Sequence, residues 1–117
     1  KKADVEIPAY NVTLDYMSGG LDMARGWLLT GQKAKGKEYV EAVWKNAYQY
    51  LNYYLSLSND RFLQSQNDCI RQIMIMQSVC DVAGMVSPQL QKSYEKQLNA
   101  LYTLYRGRGG SMPKDNQ

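Results

Sequence analysis

From Tyr10 to Leu28, apolar side chains return at alternating steps of four and three: Tyr10, Leu14, Met17, Leu21, Ala24 and Leu28. Two apolar positions in seven is the pattern by which a helix lines one face against partner helices. Gly31 follows the last seam position, where a left-handed C-terminal cap is expected, so the first helix is predicted over 10–30. Three further stretches repeat the theme. Over 38–57, Val40, Val43, Trp44, Ala47, Tyr50, Leu51, Tyr54 and Leu57 form a wide stripe, with Tyr48 and Tyr53 at its sides. Over 61–85 the inner face reads Phe62, Gln66, Cys69, Ile70, Ile73, Met76, Gln77, Cys80 and Ala83. Over 88–105 it reads Leu90, Tyr94, Leu98, Leu101 and Tyr105.

The breaks between these stretches carry their own chemistry. Residues 32–37 read as a basic turn, and Ser58-Asn59-Asp60 offers side-chain oxygens to the free amides of a new helix. Ser87-Pro88 is the clearest boundary: serine caps, and proline fits the first helical position, where no amide hydrogen is needed. Gly19-Gly20 interrupts the first helix at a cost of ~1 kcal/mol per glycine relative to alanine, and is read as a place of close helix packing. Pro8 closes a polar lead-in over 1–9. Gly107 stops the last helix, and 107–117 reads as a flexible polar tail behind a helical domain over 1–106. Four amphipathic helices of similar length on short turns predict an all-α fold, an up-down-up-down antiparallel four-helix bundle. A pair of helical hairpins that completes its core on dimerisation is the alternative.

At 117 residues, 44% of them hydrophobic and 21% charged, the chain is one ordinary globular domain. Ten tyrosines against one phenylalanine point to many half-buried positions with a wet hydroxyl. A net charge of +3 is too mild to argue for nucleic acid. The sequence has no histidine, which removes the commonest general base and metal ligand. Its two cysteines lack the neighbours of a zinc site, so no metal or cofactor is expected. On a continuous helix Cys69 and Cys80 lie ~16 Å apart, beyond disulfide reach, and are predicted as buried free thiols. The acids are scattered, Asp15 and Asp22, Glu38 and Glu41, Asp68 and Asp81, and Asp68 with Arg71 has ordinary ion-pair spacing. Nothing gathers a nucleophile, a base or a metal, so an enzyme is not expected.

The stretch Asp22, Arg25, Gly26, Trp27, Leu28, Leu29, Thr30 and Gly31 resembles the Asp/Glu-x-x-x-Arg-Gly-Tyr-Leu-Leu-Thr-Gly signature of CHASE-type sensors, the extracytoplasmic four-helix bundles of chemoreceptors and sensor histidine kinases. It differs in three places: the acid stands three residues before Arg25, Trp27 replaces tyrosine, and Gln32 stands where an acid is common. The resemblance implies a dimeric sensor domain in the periplasm, flanked by membrane helices in the full-length protein and passing helix shifts to a kinase or chemoreceptor module. An opening Lys1-Lys2 without methionine fits a mature form or an excised domain. Arg25 is the candidate for an anionic ligand, with Trp27 and Trp44 as supporting ligand-binding residues.

Around Ile73 to Met76 the third helix is apolar on all sides, which makes it central or an interface. Met74, Ile75 and Val82 are the candidate interface residues of a homodimer. The alternative function is a small periplasmic helical partner-binding protein, an adaptor, immunity protein or inhibitor, holding another protein by an apolar, tyrosine-rich face.

Overall fold

A computed structural model of the chain describes residues 10–113, with side chains from residue 19 onward. The lead-in 1–9, the side chains of Tyr10, Leu14, Asp15 and Met17, and residues 114–117 lie outside that description. Every regular element among the described residues is helical: α1 (Tyr10–Leu29), α2 (Lys33–Leu55), α3 (Asn59–Gln64), α4 (Gln66–Val86) and α5 (Pro88–Gly107).

α1 runs unbroken through Gly19-Gly20 and ends as its sequence asks. Gly31 adopts φ +85°, its amide donates to Leu28 O at 3.2 Å, and the Gln32 amide donates to Trp27 O at 2.8 Å. This left-handed closure satisfies carbonyls that the last turn leaves free. α2 then begins at Lys33, five residues before the expected start at 38, although no side chain caps it. The reason is packing: Gly36, expected in a turn, is buried in the helix against Leu28 and 3.3 Å, by its absent Cβ, from Ala24 O. A buried seam against α1 outweighs lysines that oppose the helix dipole by tenths of a kcal/mol, on the order of 0.3–1 each. Gly20 does the same further along, where a Cβ would lie 2.6 Å from Val43 Cγ2. These two contacts fix α1 and α2 as antiparallel neighbours, and they bear out the reading of Gly20 as a close-packing position.

The expected third helix over 61–85 is two helices. The chain bends at Ser65, whose ψ of 8° departs from helical geometry. Its hydroxyl donates to Phe62 O at 2.7 Å, a local bond that competes with the helical ladder and bends it. The ladder resumes as the Cys69 amide donates to Ser65 O at 2.9 Å. At the far end Ser87 caps α5 as predicted, accepting from the Leu90 amide at 3.1 Å, with Pro88 at the first position.

The packed seams run α1 on α2, α2 on α4, and α4 on α5, with lighter contact of α1 on α4 and α2 on α5. Among the described residues α1 and α5 share no seam. α4 is therefore the central helix, covered from three sides. By length and composition it could cross a membrane, at a mean hydropathy of 1.2, but half of that window is buried inside the fold, as in a core helix. Three-sided burial also moves its inner face. Gln72, Val79, Val82 and Val86 are buried, whereas Gln77, expected on the seam, is exposed. Val82, a candidate interface residue, is 1% exposed and lies in the core of the chain. Met74 is 55% exposed and Ile75 half-buried.

The stretch over 107–117, expected as a tail, is docked as far as residue 112. Arg108 reaches back to Leu55 O at 2.8 Å and Asn59 Oδ1 at 2.9 Å, and Met112 is buried. Its glycines are used for the turn and for close approach: Gly109 has φ +98°, and Gly110 lies against the Tyr105 ring.

Candidate functional site

Among the described residues a cleft opens where α2 passes α5. Trp44 lies on the α5 side of α2, one step round from Val43, which faces α1. Its indole stacks on Tyr94 of α5, with ring centroids 4.0 Å apart and planes 8° from parallel. Tyr48, one helical turn on, sits 6.3 Å from Trp44 at 43°. Two flat rings side by side keep the backbones of α2 and α5 apart. What remains between them is a cleft of about 200 Å³ lined by Trp44, Lys45, Tyr48, Gln49 and Gln97.

Its floor is aromatic and its rim polar. Lys45 and Gln49 are exposed, and Gln97, half-buried, donates to Ser93 Oγ at 3.1 Å. Beneath the floor, burial first, then the charge of Glu41 and the neighbouring Cys80 thiol, push the Tyr94 hydroxyl up to about 12. The Tyr94 ring that backs Trp44 is thus neutral at ordinary pH. The arrangement suits a small molecule with an apolar or flat body against the rings and one anionic group beside the Lys45 ammonium. Among the described residues no group of three or more Cys, Asp or Glu is placed to hold a metal ion.

The three ligand-binding residues expected from the sequence are not gathered in this cleft. Trp44 lines it; Arg25 and Trp27 do not. The Arg25 guanidinium, 46% exposed, pairs with Asp22 at 3.7 Å. Such an exposed pair contributes little to stability and leaves both groups in water. Trp27 is half-buried near the end of α1, and its indole N–H is enclosed without an acceptor among the described residues. Lys45, Gln49 and Gln97 were not foreseen. An i,i+4 aromatic pair with a lysine between is a visible signal at 44–48, but Gln97 joins the site only through the register of α5.

Elsewhere the core holds two features without a site. Gln72 is 0% exposed, and both polar atoms of its carboxamide lack a partner among the described residues. Cys69 and Cys80 are free and buried, as predicted. Burial, with smaller contributions from Glu95 and Asp81, pushes the Cys80 thiol up to about 11. Burial likewise raises Cys69, against the bond to Ser65 that lowers it. Neither thiol is an activated nucleophile.

Comparison with protein-family models, with curated proteins and with solved structures found no match.

Proposed function

We propose that the chain is a ligand-binding helical bundle, its four long helices in up-down-up-down order, serving as the extracytoplasmic sensor domain of a homodimeric receptor. The observation that carries this reading is the aromatic cleft between α2 and α5, where Trp44 and Tyr48 form the floor and Lys45 the cationic rim. The motif over 22–31 is a second support, because it caps α1 where sensor bundles turn into their second helix.

The ligand class is a small carboxylate with a flat or apolar body. A molecule seated there touches α2 and α5 together, so it favours one spacing of the two helices over another. That differential contact supplies the energy of a signal. Ligand binding rests on Trp44, Lys45 and Tyr48, while Arg25 stays with Asp22.

A thermal-shift screen of small aromatic and aliphatic carboxylates tests the reading. A member of the set should raise the melting temperature of the native chain and lose that effect in Lys45→Gln, while a neutral isostere does nothing. A hit that Lys45→Gln binds equally well would remove the cleft from the account. A second reading, a partner-binding helical protein, is favoured by Met74 and Met85, which remain 55% and 41% exposed on α4. Sedimentation of Met74→Glu separates the two. Loss of a heterologous complex with the carboxylate response intact would assign that face to a partner.

A further inference from the structure

Arg108, the first residue past α5, closes a ring of contacts at the far end of the molecule from its own helix start. Its guanidinium lies 4.5 Å over the Phe62 ring and donates to Leu55 O and to Asn59 Oδ1. Three residues on, the amide and hydroxyl of Ser111 both donate to Gln66 Oε1, at 3.1 and 3.3 Å. The Tyr105 hydroxyl donates to Ser111 O at 2.6 Å. Five residues of chain are thereby fastened to the end of α2, to α3 and to the start of α4.

We propose that residues 108–112 form a releasable strap, opening as a unit while the long helices stay packed, and that its opening uncovers the corner made by Phe62, Cys69 and Tyr105. Three observations carry this. Arg108 is fastened by hydrogen bonds to neutral oxygens and one ring contact, and no carboxylate among the described residues holds it. Met112 and Gly110 are buried, whereas Gly109 and Ser111 are exposed and Arg108 is half-exposed, so Met112 is the one large apolar side chain that the strap buries. The chain on either side of Arg108 is glycine, with Gly109 at φ +98°, so the hinge residues swing without the steric barrier other residues meet. Segments with few buried apolar groups and exposed hydrogen bonds open well below the global unfolding free energy.

What lies beneath differs in kind. Phe62, Cys69 and Tyr105 are each fully buried, and Phe62 meets Tyr105 edge to face at 5.8 Å. α3 is only six residues long and packs sparsely on α4, and the strap adds to the cover of this corner, with Arg108 over the Phe62 ring and Gly110 against the Tyr105 ring. The strap is a conformational switch: closed, it helps to shield an aromatic corner; open, it leaves that corner to water.

The two thiols make the test internal. Cys69 sits beside Ser65 and near enough to Arg108 of the strap to feel its charge, whereas Cys80 sits on the α4–α5 seam, where Gln91 donates to its carbonyl at 3.0 Å. Native protein is alkylated with a maleimide and each cysteine followed by mass spectrometry. Cys69 should label at least about tenfold faster than Cys80. Arg108→Ala and, independently, Met112→Ala should each speed Cys69 by about another tenfold, the loss expected on removing one such fastening, without moving Cys80 or helicity. Equal labelling of both thiols, or acceleration of both together, would overturn the strap. Hydrogen exchange on the unaltered chain decides the matter if a variant fails to fold. The amides of Gly109, Gly110 and Ser111 must exchange in a step earlier than those of α4; exchange together with α4 would also overturn it.

Discussion

The two sides of α2 solve the same problem, packing against a neighbouring helix, with opposite materials. Towards α1 the contact is made by small residues, Gly20 and Gly36, each so close to the opposite helix that a single added carbon meets it. Towards α5 it is made by Trp44 on Tyr94, two rings stacked at 4.0 Å. The backbones follow: α1 and α2 run close along much of their length, while α2 and α5 approach at few positions. Small residues therefore give a seam with no room in it, and large flat ones give a seam with a cleft. The side with least backbone contact is the side that carries the cleft.

Gly36→Val should test the closed side most severely. A branched side chain must enter space held by Leu28 and the Ala24 carbonyl, and overpacking of this kind costs about 1–3 kcal/mol. Gly19→Ala is its control, since nothing among the described residues lies within 4 Å of the added carbon. There the better helix propensity of alanine should stabilise by up to about 1 kcal/mol. Urea unfolding of the two variants should move in opposite directions; if Gly36→Val is neutral, the seam is not tight.

Gln72 on α4 sharpens the comparison from a third direction, because this core position is polar and has no partner among the described residues. Gln72→Leu removes two orphaned polar groups at similar volume and should raise stability by about 1–3 kcal/mol. A loss in the same urea experiment would mean that the carboxamide has a partner in solution. The smallest effect belongs to the open side and to alkaline pH. Tyr94 ionises near 10 when unfolded and near 12 when folded, so its contribution is whole below pH 10 and falls as pH rises towards 12. Cys80 adds a similar loss between 9 and about 11. Stability measured from pH 9 to 11.5 should decline, and Tyr94→Phe should decline less steeply.

How much of this was legible in the sequence depended on the range of the interaction. Helix α1 with its Gly31 cap, and Ser87-Pro88 ahead of α5, are local chemistry, and both were foreseen to within a residue or so. The start of α2 was not, since Gly36 looks like a turn until Leu28 lies over it. Nor was the bend at Ser65: a serine hydroxyl on its own i−3 carbonyl leaves no trace in an apolar pattern. The tail was misread because glycine, arginine and serine describe a free segment unless Leu55, Asn59 and Gln66 stand ready to receive it. At the cleft, Trp44 was visible as a candidate, but its grouping with Gln97 exists only through the packing of α5 on α2, and Arg25 and Trp27 belong to a different part of the molecule.

The two indoles allow the central claim to be tested in one titration. Trp44 lines the cleft, and Trp27 lies outside it with its N–H enclosed. In a nitrogen–proton correlation spectrum each tryptophan gives its own side-chain signal, assigned by Trp27→Phe. As a stabilising carboxylate is added, the Trp44 signal should shift to saturation while the Trp27 signal stays in place. Movement of Trp27 with Trp44 unmoved would put the binding site at the end of α1 and contradict the account.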